Sequence, residues 1–538
     1  MSSGERPLGA QLSAMLRDRG VDVIFGIPGV HNQELYRGIE EAGITHVLAR
    51  HEQGAGFMAD GYARATAGFG VCYLITGPGL LNALTPLGQS YSDGVSVLAI
   101  ASCLDDTVGH KGQLHQMRDQ EGAAAAVCHW SETARDATTA YALVDRALSE
   151  FLRGDPRPKT INVPIKVLEG QAAPAEPAPQ GRGRRTPSPA DVADVVARLR
   201  AARKPLVIVG GGATDLATGR VGKAGTLMDD LRTALGCATI CTFAGRGIVP
   251  PDAPLHYGPC LTRPGSAEVL AEADVVLALG TQLAEVDIWR DHPGHRPGTM
   301  IRVDLSDETL NTQASWALGI KADARTFVEA VLATWGQTQH STDWQAGDVI
   351  ARKARWRSEV DAEFPGVLPV MEALRAAMPG DAMIYSDMTL FAYAAKEVWD
   401  MTRPGHWHHP SGFGTLGYAL PAAIGGAVAR PGKPTCCIIG DYGVQYTIAE
   451  LGTAVELGQP LPILLWDNGK LGAIEDSMVA AQIAPNAVIQ RNPDFLALAR
   501  AYGAEAVQPE SLAEIAPALG AAFTAKVPTV VRLTPELR

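Results

Sequence analysis

The sequence predicts an α/β protein made of three doubly wound, mostly parallel sheet domains. Apolar runs of strand length alternate with helical segments in three stretches of the chain, as expected for parallel sheets covered by helices. Two polar stretches without apolar periodicity separate them, at 169–190 and at about 336–346. A chain of 538 residues is long enough for three domains. We therefore predict domains at residues 1–168, 190–336 and 350–538.

The first domain opens with an amphipathic helix, LGAQLSAMLRDRG, which ends at Gly20. Four apolar runs are typical of buried strands: VDVIFGIPG, ITHVLARHE, VCYLITGPG and VSVLAIAS. A helix of small residues, GAGFMADGYARATA, follows the second of these strands. Glycine-rich turns close the first and third strands, at the sheet edge where open α/β sheets bind ligands.

The second domain alternates the helix DVADVVARLRAA with strands such as KPLVIV, ADVVLALG and MIRVD. Three glycines at 210–212 follow a strand but lack the full dinucleotide-binding spacing, so close backbone packing is favoured there. Asp304 is a candidate either for a ribose contact or for a helix cap. The third domain resumes the alternation with PVMEALRAAMP, AMIYSDMT and GFGTLGYALPAAIGGAVA, and closes with the strand PTVVRLTP.

Composition excludes several classes of partner. The formal net charge of −12 gives no basic footprint, so we expect no nucleic acid partner. The N-terminus has no apolar signal region and no run approaches the roughly 18 apolar residues of a membrane span, so we expect a cytoplasmic protein without membrane contact. The eight cysteines form no C-x-x-C pair, which indicates buried thiols in a reducing compartment.

The stretch from Gly440 to Asn468 carries the sharpest functional pattern. An apolar strand ends at Asp441, a helical segment follows, and a second apolar strand, PILLW, ends just before Asn468. Parallel strands joined by one crossover helix place both side chains at the same sheet edge. Their oxygens suit Mg²⁺, and the N–H groups at the helix start suit a diphosphate. An ordinary βαβ unit with a polar loop is the alternative.

Glu52 is the second candidate. It stands where a buried strand gives way to a helix dense in glycine and alanine, RHEQGAGFMADGYAR. An N-cap or first-turn carboxylate, favoured by the helix dipole, is the structural interpretation of this position. A functional carboxylate is the alternative.

Together these segments resemble the thiamine diphosphate (ThDP) enzymes. Asp441 followed by Asn468 after 27 residues is similar to the Gly-Asp-Gly…Asn motif of that family, with Tyr442 in place of the second glycine. Glu52, the turn FGIPG, and Gly77-Pro78-Gly79 with Asn82 resemble its pyrimidine-binding domain. The resemblance covers essentially the whole chain. It implies pyrimidine-binding, central and diphosphate-binding domains, as in the acetolactate synthase and 2-oxo acid decarboxylase superfamily.

The resemblance also implies roles for single residues. Glu52 would hydrogen-bond the cofactor's aminopyrimidine ring and start its proton transfer. Leu416 would hold the cofactor in its folded form, with plain core packing as the alternative. Asp441, Asn468 and the Lys470 carbonyl would bind Mg²⁺. The other implied cofactor-binding positions are Pro28, Gly77, Asn82, Thr389, Gly414, Gly440, Tyr442, Gly443, Gly469 and Leu471.

The substrate side is less determined. His115, in GQLHQMRDQE, is the one obvious match to a histidine pair of the related decarboxylases, and it is either a proton donor or a surface residue. Gln116 and Gln120 compete for the family's active-site glutamine, and we favour Gln120. The motifs most resemble the 5-guanidino-2-oxopentanoate (2-ketoarginine) decarboxylases. Ala473, however, stands where that branch is expected to carry a glutamate, and Glu475, Asp476 and Asp287 are candidate substitutes.

The resemblance implies cleavage or formation of a C–C bond next to a carbonyl, with decarboxylation of a 2-oxo acid favoured. An acetolactate synthase-like carboligase or an acyloin lyase is the alternative, and a non-catalytic cofactor-binding subunit is a more remote one. FAD is a further candidate for the central domain, as in acetolactate synthases, although no clear motif supports it. Because the family assembles its site from two subunits, we expect a homodimer or a dimer of dimers (a homotetramer).

Overall fold

The computed structural model of the chain describes residues 4–105, 112–154, 156–177, 183–219, 225–311 and 317–537. These residues form three parallel sheets, each with helices packed on its faces, which confirms the predicted fold class. Part of the first predicted linker, residues 178–182, lies outside the described residues. The domain boundaries themselves stay a prediction.

Among the described residues, the N-terminal sheet has six parallel strands in the order β3-β2-β4-β5-β7-β6. A short antiparallel pair, β1 (Arg6–Pro7) and β8 (Gln171–Ala172), ties the end of this domain to its beginning. The six strands are β2 (Val23–Gly26), β3 (Thr45–Leu48), β4 (Gly70–Leu74), β5 (Val97–Cys103), β6 (Trp130–Thr133) and β7 (Lys159–Pro164). The helices are α1 (Leu8–Asp18), α2 (Gln33–Tyr36), α3 (Glu52–Thr66), α4 (Pro78–Asn82), α5 (Leu84–Asp93), α6 (Gln120–Ala125), α7 (Ala137–Arg153) and α8 (Ile165–Glu169).

The central sheet, as far as the chain is described, has five parallel strands in the order β10-β9-β11-β12-β13. The strands are β9 (Pro205–Val209), β10 (Ala238–Cys241), β11 (Val275–Leu279), β12 (Met300–Asp304) and β13 (Ala317–Lys321). Two apolar clusters line its opposite faces. The helices are α9 (Pro189–Ala201), α10 (Leu227–Leu235), α11 (Ser266–Glu272), α12 (Glu285–Ile288), α13 (Asp307–Asn311) and α14 (Ala324–Trp335).

The C-terminal sheet has six parallel strands within the described range, in the order β15-β14-β16-β17-β19-β18. The strands are β14 (Met383–Ser386), β15 (Trp407–His408), β16 (Thr435–Gly440), β17 (Pro462–Trp466), β18 (Glu505–Val507) and β19 (Thr529–Leu533). The helices are α15 (Ala346–Glu363), α16 (Val367–Ala377), α17 (Leu390–Val398), α18 (Ala419–Ala429), α19 (Asp441–Thr447), α20 (Glu450–Leu457), α21 (Gly472–Ala480), α22 (Phe495–Ala501) and α23 (Leu512–Ala522). None of the described helices is long and apolar enough to cross a membrane.

The two terminal sheets share one strand order. Counted within each domain, both run second, first, third, fourth, sixth, fifth. Helix α3 follows the second strand of the N-terminal sheet, and α18 follows the second strand of the C-terminal sheet. These equivalent helices pack against each other and join the two domains.

Small residues let α3 and α18 pack backbone against backbone. A Cβ atom added at Gly61 would lie 2.0 Å from the carbonyl oxygen of Ala422, and one added at Gly425 would lie 1.9 Å from that of Met58. Because neither position has room for a side chain, glycine is required on both helices. The side chains around the crossing form one buried apolar cluster that continues from the N-terminal into the C-terminal domain.

Candidate active site

Three oxygen-bearing groups meet where β16 and β17 end. The strands are parallel neighbours, with Gly440 opposite Trp466, so Asp441 and Asn468 leave the same sheet edge. One terminal atom of the Asn468 amide lies 3.0 Å from the Lys470 carbonyl oxygen and 3.2 Å from Asp441 Oδ1. With its nitrogen inward the amide donates to both oxygens. With its oxygen inward it completes a cluster of three oxygens, which is the ligand chemistry of Mg²⁺.

The second carboxylate oxygen of Asp441 is held by the protein. Asp441 Oδ2 accepts a hydrogen bond from the Gly469 N–H at 2.9 Å and another from the Asn492 side chain at 2.7 Å. Burial raises the pKa of Asp441 above its ordinary value, with a further contribution from the Asp467 carboxylate. These hydrogen bonds fix the rotation of the carboxylate about its Cβ–Cγ bond.

Two predicted cofactor-binding glycines pack closely against side chains in the loop that follows β14. A Cβ atom at Gly440 would lie 3.0 Å from Thr389 Oγ1, and one at Gly443 would lie 3.0 Å from Asp387 Oδ1. The backbone at these positions is therefore closely approached by polar side chains. The other residues predicted here, Tyr442, Gly469 and Leu471, are partly exposed beside the same edge.

The loop that carries Gly414 and Leu416 is held by side-chain hydrogen bonds from two other segments, which together form a clamp. Asp387 accepts hydrogen bonds from the backbone N–H groups of Gly417 and Ala419 at 3.2 and 3.0 Å. Thr447 Oγ1 donates to the Gly417 carbonyl at 2.8 Å. Burial raises the pKa of Asp387 to about 6. This clamp holds the half-buried Leu416 at one position beside the sheet edge.

Glu52 is the first residue of α3 and is partly exposed. Its Oε2 accepts a hydrogen bond from Asn82 Nδ2 at 3.0 Å. A Cβ atom at Gly79 would lie 3.2 Å from Glu52 Oε1. The structure thus brings together three residues that the sequence analysis linked through the turn Gly77-Pro78-Gly79.

Gln120 stabilises the same turn. Its Oε1 accepts a hydrogen bond from the Gly77 N–H at 3.0 Å. Its Nε2 donates to the Ser102 carbonyl at 2.8 Å and to Asn162 Oδ1 at 2.9 Å. Gly77 has φ +67°, in the left-handed region that favours glycine. The Gln120 amide therefore faces the protein backbone in this structure.

His115 lies against His31. The two rings are edge to face, with centroids 4.7 Å apart. The Nδ1 atoms of both are buried and have no hydrogen-bond partner among the described residues. Burial lowers the pKa of His31, and the charge of His115 lowers it further. Pro28 is exposed on the neighbouring turn, which the buried Asn32 fixes by accepting from the Gly29 N–H at 2.7 Å.

Models of the thiamine pyrophosphate enzyme family match all three domains. The N-terminal TPP binding domain matches residues 6–123, the central domain 192–331 and the C-terminal TPP binding domain 387–533. A probable 2-ketoarginine decarboxylase of Pseudomonas aeruginosa is 40% identical over 98% of this chain and 93% of its own length. The chain belongs to the thiamine pyrophosphate enzyme family.

More distant relatives of this ThDP enzyme are acetolactate synthases. The large subunit of isozyme 2 from Escherichia coli is 28% identical over 91% of this chain and 88% of its own length. The isozyme 3 large subunit of the same organism is 27% identical over 92% of this chain and 88% of its own length.

The glycine turn of the central domain is used for packing. A Cβ atom at Gly210 would lie 2.3 Å from the Gly280 carbonyl oxygen, and the Gly212 N–H donates to that oxygen at 3.0 Å. The two loops therefore touch through their backbones. The matching family models name thiamine pyrophosphate and no flavin, so FAD gains no support in this ThDP enzyme.

Sequence reasoning missed one residue that positions Glu52. Glu450, which begins α20, is almost fully buried and accepts hydrogen bonds from the Arg50 and His51 N–H groups at 3.0–3.1 Å. It therefore fixes the start of α3 from the opposite domain of this ThDP enzyme. No local pattern indicates this role, because donor and acceptor are about 400 residues apart.

The structure does not join the two halves of the predicted site within one chain. Glu52 contacts Asn82 and Gly79 in its own domain, whereas the oxygen cluster is bounded by Gly469 and Asn492. Among the described residues no hydrogen bond or ion pair connects them. The catalytic and ligand roles of all these residues stay predictions.

Proposed function

We propose that this chain is a ThDP- and Mg²⁺-dependent decarboxylase of 2-oxo acids, with 2-ketoarginine as the preferred substrate. The observation that carries the proposal is the 40% identity, over nearly the full length of both chains, to a probable 2-ketoarginine decarboxylase. Family membership alone supports decarboxylation and carboligation alike, since acetolactate synthases also match along most of the chain.

The oxygen cluster fits a divalent cation. One terminal atom of the Asn468 amide lies 3.0 Å from the Lys470 carbonyl oxygen and 3.2 Å from Asp441 Oδ1. One carboxylate, one amide and one carbonyl would hold Mg²⁺ beside the phosphates of a bound cofactor. The described residues contain no group of three or more His, Cys, Asp or Glu able to hold a metal, and this cluster includes only one such side chain.

Backbone surfaces on both domains would hold the cofactor. Gly440, Tyr442, Gly443, Gly469 and Leu471 would border its diphosphate, with Thr389 behind Gly440. Gly414 and Leu416, in the clamped loop, would support its rings, and Pro28 and Gly77 would border the ring side in the N-terminal domain. When bound, ThDP supplies a carbon nucleophile and an electron sink for the loss of CO₂.

Glu52 would accept and return one proton at its Oε1 or Oε2 carboxylate oxygen. Asn82 donates to Oε2 and so orients the carboxylate. We assign Gln120 as a positioning residue that acts through the Gly77 N–H. His115, with His31 against its ring, would donate a proton to the product carbon.

Recognition of the guanidinium group would fall to α21. Ala473 offers no charge, and Glu475 is paired with Lys470 Nζ at 2.5 Å. Asp476 is exposed on the same helix and is therefore our candidate partner. We expect Asp476→Asn to raise KM for 2-ketoarginine at least about tenfold and to leave KM for pyruvate unchanged. Equal effects on both substrates would contradict this assignment.

Acetolactate synthase-like carboligation is the second candidate. The neutral Ala473 and the ion-paired Glu475 favour it, because they weaken the case for a guanidinium site. An acyloin lyase would use the same site residues. In all these reactions the cation ligands and Glu52 keep the same roles.

The deciding experiment combines purified protein, ThDP, Mg²⁺ and a panel of 2-oxo acids including 2-ketoarginine and pyruvate. We expect CO₂ and 4-guanidinobutanal from 2-ketoarginine. An acyloin or 2-acetolactate product would establish the carboligase instead. Absence of CO₂ with every acid, while the protein still binds ThDP, would overturn decarboxylation and leave a lyase or a non-catalytic subunit.

Assembly into a homodimer or a dimer of dimers is part of the proposal. Large apolar side chains are exposed in the segments that carry both halves of the site: Leu81 in α4, Leu114 next to His115, Phe413 next to Gly414, Tyr446 in α19 and Ile474 in α21. Such patches mark association surfaces. We also propose a cytoplasmic location, because all eight cysteines are buried free thiols, the usual state in a reducing compartment.

A further inference from the structure

Asn492 lies next to the oxygen cluster but outside the segments that the sequence motifs mark. It stands between α21 and α22 and is followed by Pro493 and Asp494. The Asp494 side chain accepts hydrogen bonds from the Leu496 and Ala497 N–H groups and so begins α22. This cap anchors the backbone beside Asn492 to a helix.

The Asn492 amide bridges two carboxylates. Its Nδ2 donates to Asp441 Oδ2 at 2.7 Å and to Asp467 Oδ1 at 2.8 Å. Its Oδ1 accepts from Gln490 Nε2 at 2.9 Å and from Gln445 Nε2 at 3.5 Å, and these donors agree with the way the amide faces. Both hydrogens of the amide are therefore committed to the carboxylates.

This bridge leaves one oxygen of Asp441 for a ligand. The Gly469 N–H and Asn492 occupy Oδ2, while Oδ1 lies 3.2 Å from the Asn468 amide atom that also approaches the Lys470 carbonyl oxygen. An amide is neutral, so it orients Asp441 without cancelling the charge that attracts a cation. Asp467 is held from its other side by Arg532 Nε at 2.7 Å.

The segment that carries Asn492 also holds a second oxygen of the cluster. The Leu471 N–H donates to the Val488 carbonyl at 2.8 Å, and Lys470 pairs with Ile489 in an antiparallel bridge. Residues 488–492 thus contact the peptide of Lys470 as well as the carboxylate of Asp441.

We propose that Asn492 is a positioning residue for the divalent cation, acting through Asp441. This inference rests on the proposed cation site. Neighbours of metal ligands that fix ligand orientation typically change metal affinity by about 10–100-fold when removed. The segment 488–492 would then position two of the three groups of the cluster, the Asp441 carboxylate and the Lys470 peptide.

The test is a titration of the metal-free protein with Mn²⁺ at saturating ThDP, with free Mn²⁺ measured by electron paramagnetic resonance. We expect Asn492→Ala to weaken Mn²⁺ binding about 10–100-fold. Asn486→Ala is the matched control, since Asn486 is exposed in the same loop and donates only to the Ala484 carbonyl among the described residues. It should bind Mn²⁺ like the wild type.

A second variant and a second readout distinguish a role in positioning Asp441 from a role in the stability of the protein alone. Gln490→Ala removes the closer of two donors to Asn492 Oδ1 and leaves Gln445 Nε2 at 3.5 Å, so a smaller loss of Mn²⁺ affinity is expected. A purely structural role would lower the Tm of the metal-free protein without changing Mn²⁺ affinity. If Asn492→Ala does not fold, Gln490→Ala with wild-type affinity overturns the inference.

The outcomes also distinguish the inference from the proposed function. Wild-type protein that binds no Mn²⁺, or an Asp441→Ala variant that binds it unchanged, overturns the cation site and the inference with it. Wild-type protein that binds Mn²⁺, together with an Asn492→Ala variant within about twofold of it, overturns the inference alone.

Discussion

At the scale of single residues, the most consequential contacts cross between domains. The buried carboxylate of Glu450, in the C-terminal domain, receives two backbone N–H groups that precede Glu52 in the N-terminal domain. Burial raises the pKa of Glu450, and its hydrogen bonds with Thr453, Arg50 and His51 lower it. A movement of α20 would therefore displace the backbone at the start of α3.

The proposed proton transfer makes Glu52 the most sensitive position. We expect Glu52→Gln to lower decarboxylation at least about 100-fold, because an amide cannot take up the proton. Binding of ThDP should change little, since glutamine keeps the hydrogen bond with Asn82. Hydrogen–deuterium exchange at C2 of the bound cofactor, followed by NMR, is the direct measurement.

Glu456→Gln is the control for that variant. Glu456 is an exposed carboxylate that pairs with Arg50 at 2.5 Å, close in space but outside the site. Equal exchange rates at C2 in wild type and Glu52→Gln would contradict the role of Glu52. A loss of exchange in both variants would show that the effect is not specific to Glu52.

Buried histidines predict the response of stability to acid. Burial lowers the pKa of His256 to about 3, with smaller contributions from Lys353 and Arg232. The unfolded chain, with a pKa near 6.5, binds one more proton between those two values. The free energy of unfolding contributed by His256 is therefore present above pH 6.5 and falls by about 1.4 kcal/mol per pH unit below it.

Chemical unfolding between pH 4.5 and 7.5 measures that slope. His256→Asn, which keeps a partner for Thr239 Oγ1, should show a shallower loss of stability with acid than the wild type. A parallel slope in His256→Asn and the wild type would contradict the assignment.

The sequence analysis located the oxygen cluster because its side chains follow apolar strands at a spacing that one motif fixes. The sequence analysis did not identify Glu450 and Asn492, and the reason is physical. Their partners lie 400 and 51 positions away, and neither residue stands in a local pattern that differs from an ordinary polar position.

At the scale of helices and strands, apolar runs predicted which segments form strands better than they predicted where those strands end. The strand around Val47 ends at Leu48 instead of continuing to Glu52. The next N–H groups, of Arg50 and His51, are bound by Glu450 and not by a neighbouring strand. The end of this strand is therefore set by tertiary structure that composition does not encode.

The predicted single crossover helix is also divided. α19 ends at Thr447 and α20 begins at Glu450. Between them the Leu451 N–H donates to the Ile448 carbonyl, a contact that spans three residues instead of four. The tightened turn brings Thr447 Oγ1 to the Gly417 carbonyl, so the division serves the loop that carries Leu416.

The crossing of α3 and α18 gives a prediction about stability. We expect Gly61→Ala or Gly425→Ala to destabilise the protein by about 1–3 kcal/mol, because the added methyl groups would meet backbone carbonyls at 2.0 and 1.9 Å. Thermal unfolding followed by scanning calorimetry measures the loss as a lower Tm.

Gly520→Ala is the matched control. Gly520 lies in α23 with nothing within 4 Å of an added Cβ atom. This change should raise stability by up to about 1 kcal/mol, because alanine is the better helix former. Equal Tm shifts in the crossing variants and the control would mean that the two helices can separate without cost.

At the scale of the whole molecule, the proposed dimer shares its sites between chains. Glu52→Gln and Asp441→Ala would each inactivate both sites of a homodimer. In a mixed dimer one site would carry both changes and the other neither. Random mixing of equal amounts should therefore restore roughly a quarter of the wild-type activity.

Co-expression of the two differently tagged variants, followed by purification through both tags, gives the mixed dimer directly. Its activity should be about half that of the wild type, because one of its two sites is intact. Chains that carry both changes, paired with wild-type chains, are the control and should have no intact site. Activity in that control would show that each chain holds a complete site of its own.

The shared strand order of the terminal domains has a consequence for how the chain is built. α3 and α18 occupy the same place in the two strand orders, and they pack against each other. A single unit of this kind would have to self-associate to cover its glycine-lined helix. This chain instead carries both partners on one polypeptide, as a fused pair. The two halves of this pair carry different polar groups, the Glu52 carboxylate at the start of α3 in one and the oxygens of Asp441, Asn468 and Lys470 in the other.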